Sequence, residues 1–177
     1  MFSGVSNPVI KGTDLGVPAT YEGMQAIGSG LGAVGFIVYD DTADMVSVSR
    51  LFARFLPVES CGQCGACKLN SGEVWSALKR LETGAANGWD IEKIGSHLEM
   101  VTDQSRCFLP QELQTVVGSV LRAFPEDLVD HLEQRPLRAR RYELPKILEL
   151  RPGVVVYDSR IAAKQPDWSY LERPLAS

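Results

Sequence analysis

Apolar residues recur every three or four positions through the middle of the chain, and the elements there follow from that period. Met45, Val48, Leu51, Phe52 and Phe55 mark a first helix, which Pro57 is expected to end. After a cysteine-rich loop, Asn70 can cap a second helix with Glu73 three residues on, a variant of the capping box. Trp75, Leu78 and Leu81 form its apolar stripe, and Gly84 is its stop. Ile91, Ile94, Leu98 and Val101 predict a third helix. A fourth starts near Pro110, with Leu113, Val116, Val117, Val120, Leu121 and Phe124 on one face. Pro125 breaks or kinks it ahead of Leu128 and Leu132. Four amphipathic helices with short connections predict a mainly α fold, a four-helix bundle over residues 42–134.

Both ends of the chain lose this period. Residues 1–41 read as strand, helix, strand: Phe2 to Ile10 interrupted by Asn7-Pro8, a short helix over Tyr21 to Ile27, and Phe36 to Tyr39 stopped by Asp40-Asp41. Such a small α+β segment has too few strands to stand alone, so it must pack on the rest of the chain or on another protein. Residues 135–177 open on a basic connector, Arg135 to Arg141. Ile147 to Leu150 and Val154 to Tyr157 can pair as a hairpin across Arg151-Pro152-Gly153, and an extended tail runs on to Ser177.

Composition narrows the class. Hydrophobic residues make up 45% of the 177 and charged residues 23%, as in a soluble globular protein that needs no disulfides to fold. A net charge of -4 argues against a general nucleic-acid binder, which must displace counterions from phosphates. Met1 is followed by no basic start or apolar core of a secretory signal, and Met24 to Tyr39 is too short and too rich in glycine to span a membrane. The expectation is a cytoplasmic protein whose contact with any membrane is through a complex.

The chemistry is concentrated in Glu59-Ser-Cys-Gly-Gln-Cys-Gly-Ala-Cys67. Cys61, Cys64 and Cys67 have C-x2-C-x2-C spacing, and Cys107 follows forty residues later. Three thiolates this close reach three corners of one iron–sulfur cube, and the fourth corner needs a ligand from elsewhere in the fold. Gly62 and Gly65 each follow a ligand candidate and let the backbone turn its N–H groups inward, where they stabilise charge on sulfur. Lys68 and Arg106 flank ligands and can offset negative charge or simply be solvated. Zinc is a rival, although its four-thiolate sites favour two separated pairs. Disulfides would need an oxidising compartment, and a thiol-redox C-x-x-C would need a thioredoxin-like context.

These residues carry a family resemblance. The cysteine run, with its fourth cysteine, resembles the C-terminal part of the NADH-binding flavoprotein subunit of respiratory complex I and its relatives among NAD-linked hydrogenases and formate dehydrogenases. Gly28-Ser-Gly-Leu-Gly-Ala-Val-Gly-Phe-Ile-Val-Tyr-Asp-Asp41 is similar to the end of that family's SLBB (β-grasp-like) region. Arg106-Cys-Phe-Leu-Pro110 and Leu121-Arg-Ala-Phe-Pro-Glu126 look like its cluster-closing segment. The resemblance implies a [4Fe-4S] cluster in a four-helix bundle, with Cys61, Cys64, Cys67 and Cys107 as ligands and Ser60, Gly62 and Gln63 as the surrounding loop. It implies electron transfer from a flavin reduced by NADH to further clusters, among flavoprotein and iron–sulfur partner subunits. Gly65-Ala66 stand where many members have Thr-Pro, and Lys68-Leu69 where many have Arg-Glu; these changes bear on potential and partner contacts rather than ligation. The flavin and nicotinamide region that precedes this module in the family is not in the chain, and the SLBB part begins midway. FMN and NAD are therefore expected on a partner or a missing region, in a fragment of a longer subunit or a short version completed by a partner. No catalytic residue is assigned. A metal-stabilised scaffold without redox turnover is the alternative.

Other motifs carry less. Gly30-Leu-Gly-Ala-Val-Gly35 matches a dinucleotide fingerprint but precedes a strand instead of following one. His97 and His131 lie on predicted helices without a nearby nucleophile and read as surface or packing residues. Trp75, Trp89, Trp168 and Tyr170 read as packing anchors. The arginines at 135, 138, 140 and 141 read as a solvated connector.

Overall fold

Six α-helices form the main body of the described chain. The structure is a computed structural model and describes residues 1–135, 142, 146–166 and 168. In order these are α1 (Tyr21–Ala26), α2 (Met45–Val58), α3 (Gly65–Glu82), α4 (Gly88–Met100), α5 (Leu109–Ala123) and α6 (Pro125–Leu132). Two small antiparallel pairs accompany them: β1 (Phe2–Ser3) with β2 (Phe36–Ile37), and β3 (Lys146–Arg151) with β4 (Val154–Asp158). No helix is long and apolar enough to cross a membrane among the described residues.

Each helix starts for a local reason. Asp44 caps α2, its Oδ1 accepting from the N–H groups of Val46 (2.9 Å) and Ser47 (3.2 Å). Asn87 caps α4: its Oδ1 accepts from Trp89 N–H, while Asp90 Oδ2 accepts from Asn87 N–H, each at 2.9 Å. Replacing Asn87 with alanine is expected to cost about 1 kcal/mol, seen as a fall in Tm of roughly 2–4 °C. Pro125 ends α5 and opens α6 as its first residue, where a missing N–H costs nothing.

The helices bury one apolar face each. Val46, Ala53 and Leu56 of α2 meet Val74, Leu78 and Leu81 of α3, Ile94 and Leu98 of α4, and Leu113 and Val117 of α5. The order of contacts along the helices fixes their directions. Asn70 Oδ1 lies 2.7 Å from His97 Nδ1, and Arg80 Nε donates to Asp90 Oδ1 at 2.9 Å, so α3 and α4 run antiparallel. Gln114 of α5 donates to the Leu98 carbonyl at 2.6 Å. The N-terminal segment packs on α2 and α5 through Phe2, Val48, Phe52, Val116 and Val120, and Val9 N–H donates to Ser119 Oγ at 2.9 Å.

The elements differ from expectation in four places. The strand expected over Phe2 to Ile10 stops at Ser3, because Gly4 takes a left-handed turn (φ +67°) and its N–H closes on the Gly35 carbonyl. Its partner likewise shrinks to Phe36–Ile37. Pro57 does not end α2, which continues to Val58; the Glu59 and Ser60 N–H groups close its last turn on the Phe55 and Pro57 carbonyls. Asn70 does not cap α3, which begins at Gly65 one turn earlier; the Asn70 amide instead donates back to the Ala66 carbonyl at 2.9 Å. The expected hairpin is present as β3–β4, and a 3-10 turn, Ser159–Ala163, follows it. Arg138, Arg140, Arg141 and the tail from Ser169 on lie outside the described residues.

Candidate metal centre

Three helix ends converge on the cysteine loop. The C-terminus of α2 delivers it at Val58, and the N-terminus of α3 receives it at Gly65. Because α4 returns antiparallel to α3, the α4–α5 connection comes back to the same end of the molecule. Cys107 lies in that connection, beside Phe108, the N-cap of α5. All four cysteines are free thiols.

Ser60 shapes the loop from inside. Its buried Oγ accepts from Gly62 N–H at 3.1 Å and lies 3.7 Å from Cys67 Sγ. That turn requires a left-handed backbone at Gly62 (φ +68°), which glycine adopts without the Cβ penalty of other residues. Cys64 is the N-cap of α3 but supplies no side-chain cap. The first backbone bond runs from Lys68 N–H to the Cys64 carbonyl, so the amides of Gly65, Ala66 and Cys67 precede it and carry the helix's positive end to the thiols. A Cβ built on Gly65 would meet open space, so the backbone there is free to be approached. Gln63 is exposed on the outer side of the loop.

Cys67 is the buried member, 5% exposed; Cys64 is half-buried, and Cys61 and Cys107 are exposed. Burial pushes the Cys67 thiol above its ordinary value; the Ser60 hydroxyl opposes this, and the charges of Cys107, Cys64 and Cys61 push it further up. The antiparallel return of α4 brings the connection that carries Cys107 to the end of the molecule that holds the loop cysteines. Among the described residues, no three His, Cys, Asp or Glu side chains stand as a closed metal-holding group.

The other sequence candidates separate. His97 stays half-exposed against Asn70, whereas His131 is 3% exposed and lies between Asp44 and the Leu81 carbonyl, a placement its helical position did not signal. Trp75 is half-buried against the core, but Trp89 is 72% exposed and anchors nothing. Trp168 lies on the cysteine loop, with Lys68 Nζ 4.5 Å from its ring centroid. Arg106 is exposed, and Arg135 pairs with Asp130 at 2.8 Å. The glycine run leads into β2 and opens no helix, with Gly30 against the Asn7 side chain.

Free cysteine thiols and the unbonded amides that open α3 are the kinds of group that hold an iron–sulfur cluster. The fold and the loop thus define a helical domain of the iron–sulfur class. Residues 47–131 match the NADH-ubiquinone oxidoreductase-F iron-sulfur binding region, a family that binds a [4Fe-4S] cluster. The chain is 29% identical over 132 residues to the NADP-reducing hydrogenase subunit HndC of Solidesulfovibrio fructosivorans, covering 75% of this chain and 27% of that protein. It is 33% identical over 132 residues to the F subunit of NADH-quinone oxidoreductase from Mycobacterium tuberculosis, covering 73% of this chain and 29% of that one. The chain thus spans under a third of the length of these relatives. In fold it matches a chain of a crystallised NAD+-reducing [NiFe]-hydrogenase with a TM-score of 0.65 at 24% identity, over 77% of this chain and 23% of that one.

Proposed function

We propose that Cys61, Cys64, Cys67 and Cys107 ligate one [4Fe-4S] cluster, and that the protein relays single electrons through it as a component of an NADH dehydrogenase-like oxidoreductase. The observation that supports this most is the return of the α4–α5 connection, with Cys107 in it, to the amide end of α3. When bound, the cluster supplies a one-electron couple. The chain's own residues do the rest. Cys67 is fixed by burial, while the exposed side chains of Cys61 and Cys107 turn inward to close the set. Ser60 holds the turn through the Gly62 N–H, and the free amides that open α3, Gly65 among them, stabilise negative charge on sulfur, favouring the reduced state. Gln63 edges the loop toward a partner.

In this reading residues 42–134 are the cluster-bearing four-helix bundle, residues 1–41 a partial SLBB-like segment braced on it, and residues 135–177 a connector and tail. Flavoprotein and other iron–sulfur subunits, in a cytoplasmic complex, carry the FMN and NAD and accept the electrons. Anaerobic reconstitution tests the reading. About four iron and four sulfide per chain, with a paramagnetic signal after dithionite, are expected. One tightly bound zinc without sulfide would refute it.

A further inference from the structure

We propose that residues 158–166 form a strap beside the cysteine loop, and that Trp168 is a positioning residue for the cluster: its ring covers the Cys61–Cys64 turn and its indole N–H donates to cluster sulfur. The proposal rests on the cluster reading above and adds a residue from outside residues 47–131, which are the ones matched to the family.

The strap is tied down at its root and along its length. Asp158, the last residue of β4, accepts from Arg160 N–H at 3.0 Å and so turns the chain out of the hairpin. Lys164 then makes two long-range bonds to the arm leading into the cysteines. Its carbonyl accepts from Arg54 Nη2 of α2 at 3.1 Å, and its ammonium donates to Glu59 Oε1 at 2.7 Å. Glu59 stands two residues before Cys61.

Trp168 ends this path on the loop itself. A Cβ built on Gly62 would collide with Cγ and Cδ1 of the indole, so the ring rests directly on the backbone between Cys61 and Cys64. Lys68, the residue after Cys67, holds its ammonium over the same ring. One aromatic side chain therefore touches neighbours of Cys61 and of Cys67. Gly62 is constrained twice, by its left-handed backbone and by the ring upon it.

The indole nitrogen is the second observation. Trp168 Nε1 is buried without a hydrogen-bond partner. Buried donors in native proteins are nearly always satisfied, and an orphan marks a missing partner. Among the described residues Trp75 Nε1 shares this condition, but it lies on α3 away from the loop. In Trp168 the orphan nitrogen is bonded to Cδ1, one of the atoms meeting Gly62, so the donor lies on the ring edge that meets the cysteine loop. A cluster seated in the loop would offer its sulfur as the missing acceptor, and an N–H···S bond stabilises the reduced cluster.

Two substitutions in the full chain, reconstituted anaerobically, separate cover from donation. Trp168→Phe keeps an aromatic cover and removes the N–H; Trp168→Ala removes both. Bleaching of the cluster absorbance by oxygen and by an iron chelator, together with the midpoint potential from a dithionite titration, are the readouts. Trp168→Ala is expected to bleach about tenfold faster than wild type, the lower end of the usual cost of losing an outer-shell partner. Trp168→Phe is expected to bleach at close to the wild-type rate but to show a lower potential. Lys164→Ala, which loosens the strap without touching the loop, should bleach at an intermediate rate. A wild-type bleaching rate in Trp168→Ala overturns the cover, and an unchanged potential in Trp168→Phe overturns the donor. If Trp168→Ala takes up no cluster, Lys164→Ala and Trp168→Phe decide by the same two readouts. Wild-type protein that assembles no cluster refutes the proposed function, and this inference with it.

Discussion

Cys107→Ser is expected to abolish stable cluster assembly while leaving the helices folded. Cys107 is exposed and lies in the α4–α5 connection, outside the apolar interior, so its replacement removes no core packing. In the proposed function its loss takes away a ligand, and losing even an outer-shell partner costs about 10–100-fold in metal affinity. Iron and sulfide content after reconstitution should therefore fall more than tenfold, with helical content unchanged by circular dichroism. Cys67→Ser should be harsher. It removes the one buried thiol, 3.7 Å from Ser60 Oγ, and so disturbs the loop as well as the ligand set. Retention of wild-type iron, sulfide and reduced-state signal in Cys107→Ser would show that this residue is not a ligand.

The contrast between these two cysteines shows what the sequence disclosed and what it did not. Spacing singles out Cys61, Cys64 and Cys67, whereas Cys107 is singled out only as the remaining one of four cysteines and by the family resemblance. The helical period likewise exposed α2, α4 and α5, whose apolar faces are broad. The start of α3 escaped because Gly65 and Ala66 carry no apolar stripe, and Asn70 has the composition of a cap without its position. The first strand escaped because one left-handed residue, Gly4, outweighs the β-formers after it. Trp168 could be named only as an aromatic in a tail. Its contact with Gly62 depends on the path of β3–β4 and on Lys164 reaching Glu59, which lies 105 residues away. The same limit hid the partner of His131, since Asp44 is 87 positions distant.

That buried pair sets the largest expected effect on stability. His131 Nε2 lies 2.8 Å from Asp44 Oδ2, and Nδ1 lies 3.1 Å from the Leu81 carbonyl. Both ring nitrogens thus face acceptors, which only the doubly protonated imidazolium can satisfy. Burial alone would push the His131 pKa down; the hydrogen bond and charge of Asp44, the Leu81 carbonyl and the charge of Asp127 together hold it above its ordinary value. Burial would likewise raise the Asp44 carboxyl; the hydrogen bond and charge of His131, with the Ser47 amide and hydroxyl, hold it below. The signs then follow from linkage. The raised histidine contributes fully below about pH 6.5, its unfolded value, and loses its contribution as pH rises through the folded value. The depressed carboxyl contributes above about pH 4 and fades as pH falls through its folded value, so the pair is strongest between about pH 4 and 6.5. Asp44→Ala breaks a buried pair and removes the cap of α2, and should cost about 3–5 kcal/mol at pH 6. At pH 9 the imidazole can lose its proton instead of staying charged and unpaired, so the gap between variant and wild type should narrow. Urea unfolding of both proteins at the two pH values measures this. An equal gap at pH 6 and pH 9 would mean that His131 is neutral in the fold and that Asp44 acts only as a helix cap.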